Sequence, residues 1–329
     1  MNGWLILDKP LGLGSTQGVS AVKRALREGG YAKAKIGHGG TLDPLASGVL
    51  PIALGEATKL AGRMLDSDKV YDFTIRFGAE TDTLDAEGKV IAESDVRPTL
   101  EAIAAVLPRF TGAIEQMPPA FSALKVDGQR AYDLARAGEE VVLKARNVTV
   151  YSLSSPERGG GPLARGEGWR GASAHDPLEE TPLHQPAAGP PPRSGEDSVT
   201  FTAHVSKGTY IRSLARDIAR ALGTVGHVTY LRRIKAGPFD LSHAISLDKL
   251  AEAAKARTLE HLLLPLRAGL DDIPALSLTP DQAGALRQGR VLAGIAADDG
   301  QYFACLHDVP VALIEVQARE GRVVRGFNL

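Results

Sequence analysis

Between Ser155 and Asp197 the chain runs for 43 residues with eight prolines, eight glycines and no isoleucine, valine or phenylalanine. Such a stretch cannot bury enough apolar surface to offset the entropy of ordering its backbone, so it reads as a disordered surface insertion. This reading constrains the flanks. Asn147-Val148-Thr149-Val150-Tyr151-Ser152-Leu153 before it and Val199-Thr200-Phe201-Thr202-Ala203-His204-Val205 after it are rich in β-branched and aromatic residues and read as strands. The insertion is then an overgrown connection within one domain, not a linker between two, and long surface connections cost little stability. With four arginines against seven acids it carries a net −3 and makes a poor clamp for a polyanion.

The rest of the chain alternates strand and helix signals. Trp4-Leu5-Ile6-Leu7 reads as a strand closed by Asp8-Lys9-Pro10, followed by a helix capped at Ser15 or Thr16 with Val19, Val22 and Leu26 inward. Val70 to Phe77 alternates, with Tyr71, Phe73, Ile75 and Phe77 on one face and Asp72, Thr74 and Arg76 on the other. Leu100 to Phe110 reads as helix, and Asp127-Gly128 as a hairpin turn. Ile211, Leu214, Ala215, Ile218, Ala219 and Leu222 form an amphipathic stripe stopped at Gly223, with Arg212, Arg216 and Arg220 on a shared face. A boundary falls near Leu266-Arg267-Ala268-Gly269. The expected class is mixed α/β, with a main domain over 1–265 and a small β-rich unit over 273–329 that is too short to stand comfortably alone and must pack against it.

Charge narrows the function classes less by its sum than by its distribution. The chain holds 38 Lys+Arg against 39 Asp+Glu, but Lys207 to Lys235 carries seven basic residues and one acid, Asp217, for +6 over 29 residues. Such a stripe is either a solvated face or the footprint of a nucleic acid. No apolar run reaches the roughly 18–20 residues of a membrane span, and Met1-Asn2-Gly3-Trp4 lacks the basic region and apolar run of a secretory signal. A single cysteine, Cys305, rules out a disulfide framework or a Cys-rich metal site. No His-x-x-x-His pair is present. A cytoplasmic protein with no cofactor and no metal is expected.

The densest punctuation is Gly37-His38-Gly39-Gly40-Thr41-Leu42-Asp43-Pro44-Leu45-Ala46-Ser47-Gly48-Val49-Leu50-Pro51. Glycines permit close approach of a backbone or a ligand, and an aspartate among apolar residues has two readings. It is a nucleophile or acid/base group, or it caps a short helix starting at Pro44. The order of a phosphate-binding loop is absent.

This loop, continued by Gly55-Glu56-Ala57-Thr58-Lys59, resembles the catalytic signature of the bacterial tRNA pseudouridine-55 synthases. The resemblance extends, in family order over about Asn2 to Leu250, through Asp8-Lys9-Pro10, Lys69-Val70-Tyr71 and Thr81-Asp82-Thr83-Leu84-Asp85-Ala86-Glu87-Gly88. It continues in Pro118-Pro119-Ala120-Phe121-Ser122-Ala123-Leu124-Lys125-Val126-Asp127-Gly128, Ser206-Lys207-Gly208-Thr209-Tyr210-Ile211-Arg212 and His227-Val228-Thr229-Tyr230-Leu231-Arg232-Arg233. The C-terminal unit resembles the family's PUA-type RNA-binding domain only loosely, and the Pro/Gly-rich stretch has no counterpart in the family pattern.

The resemblance implies a mixed sheet of the pseudouridine synthase type and an isomerase acting on uridine 55 of the tRNA T-loop. Such an enzyme works on a base flipped from its stack, as a monomer without guide RNA. It implies Asp43 as the nucleophile, acting at C1′, through a glycal route, or at C6 of the base. By the same resemblance Tyr71 stacks on the target base and is a candidate general base, and Arg212 pairs with the catalytic carboxylate. Asp85 belongs to the pocket network, Leu231 walls the pocket, and His38 helps hold the flipped-out RNA loop. Lys207, Arg216, Arg220, Arg232 and Arg233 then have a purpose as phosphate contacts. Two other readings compete. The intact Asp43, Tyr71 and Arg212 argue against a non-catalytic RNA-binding protein on this scaffold. The basic helix and C-terminal unit argue against a hydrolase of small nucleosides.

Overall fold

The first strand sets the layering. In β1 (Gly3–Lys9), Trp4 and Ile6 point to one face and Leu5 and Leu7 to the other, and all four are buried. A strand apolar on both faces must lie between two layers. The computed structural model describes residues 1–122, 124–126, 129–136, 143–155 and 195–329. The expected Asp127-Gly128 turn and most of the Pro/Gly-rich stretch lie outside them.

β1 belongs to a ten-stranded sheet with β2 (Ile36–His38), β3 (Ala46–Leu54), β4 (Lys69–Phe77), β5 (Gly112–Gln116), β6 (Arg146–Ser154), β7 (Ser198–Val205), β8 (Gly226–Ala236), β9 (Phe239–Asp240) and β10 (Ala244–Ile245). The order is β10-β1-β3-β8-β4-β7-β6-β5, with β2 on β3 and β9 on β8. Pairing is parallel at β1–β10 and β3–β8 and antiparallel elsewhere, so the sheet is mixed. The strands expected on either side of the Pro/Gly-rich stretch, β6 and β7, are antiparallel neighbours, with Leu153 opposite Ala203.

The helices on one face fall into two groups. α1 (Ser15–Glu28) and α3 (Leu247–Ala256) bury Val19, Val22, Leu26, Leu250 and Ala254 on Leu5, Leu7, Leu50 and Ile52. α2 (Ile211–Ala221) buries Ile211, Leu214, Ala215 and Ile218 on Phe73, Ile75 and Phe201, and the chain leaves it through Gly223 at φ +71°, a conformation glycine adopts without steric cost. Leu231 and Tyr71 border both groups, which places them at the seam where the two helical layers part.

The C-terminal unit is a second sheet of five strands: β11 (Ala275–Ser277), β12 (Leu292–Ala293), β13 (Gly300–Leu306), β14 (Val309–Gln317) and β15 (Glu320–Gly326), in the order β11-β13-β14-β15-β12. Its Phe303, Leu313 and Phe327 pack into one cluster with Trp4, Ile6 and Val49 on the opposite face of the main sheet, and the Trp4 indole N–H donates to the Leu266 carbonyl at 3.2 Å. The mixed α/β class with a small β-rich C-terminal unit is therefore observed. Among the described residues no helix is long and apolar enough to cross a membrane.

One expected cap is corrected. α1 is capped by Gly14, whose N–H donates to Gln17 Oε1 at 2.7 Å. The Ser15 hydroxyl instead reaches Leu42, 27 residues away in sequence.

Candidate active site

Asp43 does not cap a helix. Its carbonyl accepts from the Ala46 N–H at 3.0 Å, closing a turn that delivers the chain into β3. The loop before it has no ladder of its own, so its backbone groups need other partners. The Gly40 and Thr41 carbonyls accept from the Arg233 guanidinium at 3.2 and 3.3 Å. Leu42 exchanges both of its backbone groups with Ser15 Oγ. The Pro44 carbonyl accepts from the Gly12 N–H at 2.8 Å and from Lys9 Nζ at 3.4 Å. Each carbonyl from Gly40 to Pro44 thus has a donor, and the Asp43 side chain is left 44% exposed.

The carboxylate meets Arg212, on the first turn of α2, at 2.8 Å. Arg212 is buried, and the same guanidinium lies 3.4 Å from Asp85 and donates to the Thr83 and Phe121 carbonyls at 2.8 and 3.0 Å. Asp85 is held in turn by the Thr83 hydroxyl at 2.5 Å and the Glu87 N–H at 3.1 Å. The preceding Leu84 is buried at φ +62°, a costly conformation for a branched side chain, of the kind that persists where the surroundings over-determine it. The fork geometry of arginine suits this bridging of two carboxylates and two carbonyls.

Asp43, Tyr71, Arg212 and Leu231 line one cavity of about 190 Å³, together with Tyr210 and residues of the loop. A second cavity of about 350 Å³ adjoins it through Asp43 and Arg212 and includes Asp85 and Glu87. The structure therefore brings together five of the residues singled out in the sequence: Asp43, Tyr71, Asp85, Arg212 and Leu231.

The remaining ones lie apart. His38 sits on β2 opposite Ile52, and burial together with the charge of Arg233 lowers its pKa. Lys207 pairs with Asp66 at 3.0 Å on the surface. Arg216 pairs with Asp217 and donates to the Met117 carbonyl, Arg220 pairs with Glu80, and Arg232 pairs with Asp8, each ion pair at 2.8 Å. The basic stripe is thus laced with carboxylates. Arg233 cannot reach a phosphate: it is 1% exposed, and its third donor goes to the Val49 carbonyl at 2.7 Å. Adjacent residues on a strand point to opposite faces, so Arg232 and Arg233 never shared a role.

Sequence reasoning missed several supports. Lys9, at 0% exposure, donates to the Pro10 and Leu13 carbonyls as well as to Pro44. Lys69 donates to Met64, Leu65 and Ser67 carbonyls behind Tyr71. Burial, the largest cause, lowers each amine to about 8, with Arg233 adding to it; Asp43 pulls Lys9 the other way. A lysine closing an apolar strand was the available signal for Lys9. Gln116, which holds Tyr210, offered none.

Two family models match the chain: "TruB family pseudouridylate synthase (N terminal domain)" over residues 27–158 and "tRNA pseudouridylate synthase B C-terminal domain" over residues 212–271. The tRNA pseudouridine synthase B of Novosphingobium aromaticivorans is 58% identical over 329 residues, covering 100% of this chain and 98% of the relative. That of Zymomonas mobilis is 55% identical over 328 residues, covering 100% and 96%. Among solved structures, a chain of an H/ACA RNP bound to a substrate RNA containing 2′-deoxyuridine superposes with a TM-score of 0.67 at 22% identity, over 99% of this chain and 85% of that one. A chain of a Cbf5-Nop10-Gar1 complex gives 0.66 at 24%, over 99% and 84%. These two likenesses establish the fold. The extent and identity of the sequence matches go further: the chain belongs to the TruB family of pseudouridine synthases, and it is an isomerase.

Proposed function

We propose that this enzyme converts uridine 55 in the T-loop of tRNA to pseudouridine, with Asp43 as nucleophile on a base flipped out of its stack. The observation that supports this reading best is the Asp43–Arg212 pair at 2.8 Å on the wall of a cavity shared with Tyr71. Its roughly 190 Å³ falls below the about 300–1,000 Å³ of pockets for drug-sized ligands and suits a single flipped pyrimidine. The relatives named tRNA pseudouridine synthase B supply the substrate class.

The reaction breaks the N1–C1′ bond, turns the uracil, and joins C5 to C1′; the C5 proton leaves and N1 gains one, with no net redox change. Arg212 holds the Asp43 carboxylate oriented in a partly desolvated site, where a fixed charge acts more strongly than in water. Tyr71 stacks on the base and serves as general base for the C5 proton. Leu231 forms the apolar wall, and Asp85 holds Arg212 from behind. His38 supports the extruded loop from the edge of β2.

Flipping costs a few kcal/mol, which contacts to the phosphates offset. Lys207, Arg216, Arg220 and Arg232 supply them by exchanging or sharing their present carboxylate partners. The main domain over 1–265 carries the chemistry, and the 273–329 unit serves as a PUA-like RNA-binding module. The enzyme acts in the cytoplasm as a monomer without guide RNA.

Chemical mapping of pseudouridine in a treated tRNA transcript tests the site. Modification is expected at position 55, and a transcript with cytidine there should stay unmodified; modification at other uridines instead would refute the assignment.

A further inference from the structure

The two charged partners of the site come from segments far apart in sequence, and each is preceded by a residue held in the same manner. Leu42, immediately before Asp43, donates its N–H to Ser15 Oγ at 2.7 Å and receives the Ser15 hydroxyl on its carbonyl at 3.0 Å. Tyr210, two residues before Arg212, donates its N–H to Gln116 Oε1 at 2.8 Å and receives Gln116 Nε2 on its carbonyl at 3.2 Å. In both cases one side chain supplies a donor and an acceptor to a single residue's backbone, as a neighbouring strand would. Ser15 is 5% exposed and Gln116 1%, so water does not compete for either clamp. Neither is needed to finish its own element: α1 is capped by Gly14, and Gln116 ends β5.

We infer that Ser15 and Gln116 are positioning residues that fix the two halves of the Asp43–Arg212 pair, Ser15 from α1 and Gln116 from β5. The inference rests on the reading of Asp43 as nucleophile. Neither side chain is placed to touch the substrate. Each removes freedom from the backbone that carries a reacting or pairing group, and small misplacements of such groups are expensive in rate. Loss of a clamp therefore lowers turnover and leaves the RNA-binding surface as it was.

The test compares Ser15→Ala, Ser15→Thr and Gln116→Leu in the full chain by single-turnover rate on tRNA transcript, filter-binding Kd and urea unfolding, with Asp43→Asn as control. Ser15→Ala and Gln116→Leu should each lower the rate about tenfold or more, with Kd changed less than twofold. Ser15→Thr, which keeps the hydroxyl, should recover most of the loss. Wild-type rates in both clamp variants, with Asp43→Asn inactive, would overturn the positioning role alone. A rate loss matched by an equal loss of tRNA affinity, or unrelieved by Ser15→Thr, would overturn it as well. Activity surviving in Asp43→Asn would overturn the nucleophile reading and this inference with it. Gln116→Leu, on a separate element, decides the matter should Ser15→Ala not fold.

Discussion

Arg232 and Arg233 allow the same substitution to be made twice, one residue apart, with opposite expectations. Arg233→Met removes a guanidinium that donates to the Val49, Gly40 and Thr41 carbonyls at 2.7, 3.2 and 3.3 Å. A hydrogen bond from a charged donor contributes about 1.5–3 kcal/mol net. Counting the short bond at about 2 and the two longer ones at about half that gives roughly 4 kcal/mol, and the buried methionine returns about a quarter of it; a loss of about 3 kcal/mol results. Arg232→Met breaks a partly exposed pair with Asp8 and should cost no more than about 1 kcal/mol. Urea unfolding resolves the difference against a total of about 5–15 kcal/mol. A second readout is independent of stability. The charge of Arg233 helps to depress the pKa of His38, so NMR titration of His38 should show a rise in Arg233→Met and none in Arg232→Met. Equal stability losses in the two variants, with His38 unmoved, would refute the view of Arg233 as the buried brace of the loop.

Further outcomes follow from the same geometry. Lys9 and Lys69 titrate near 8 in the fold against 10.5 when free. Between those values the unfolded chain binds more protons, so they make stability rise with pH there. The urea midpoint of wild type should gain on that of Lys69→Met between pH 8 and 10, and a constant gap would contradict the lowered amine. Gly48 lies at φ +100°, where an added Cβ would overlap the Arg233 carbonyl oxygen, so Gly48→Ala should cost about 3 kcal/mol or more. Gly12→Ala, at φ +81° with open space around it, should cost only about 1–2 kcal/mol; equal losses would show that the clash is relieved. The logarithm of the affinity for tRNA should fall linearly with the logarithm of salt concentration, and a flat filter-binding titration would argue against phosphate contacts.

How much of this was legible in the sequence depended on the range of the interaction. The alternation of Tyr71, Phe73, Ile75 and Phe77 reports a local period, and β4 shows it, with Thr74 and Thr200 bonded at 2.8 Å on the polar face. The stripe of α2 was equally readable. Ser15 was misread because helix-capping rules are local, while its partner Leu42 arrives through the tertiary fold. The arginines of α2 were read as one basic face, yet each pairs with acids of its own, and three of those acids, Asp43, Asp85 and Glu80, are distant in sequence. Periodicity places charges on a face; it does not say what folds against that face. Asp43 could be singled out because its loop is punctuated by glycine and proline, whereas the buried donors that hold the loop look like ordinary lysine, arginine and serine.

The central claim is that Asp43 performs the chemistry on a T-loop uridine. It is tested most directly with unmodified tRNA carrying tritium at C5 of uridine, incubated with wild-type enzyme and with Asp43→Asn. Stoichiometric release mapped to position 55 by the wild type, and none above background by the variant, is the expected result. Release by Asp43→Asn at a rate near wild type would contradict the account.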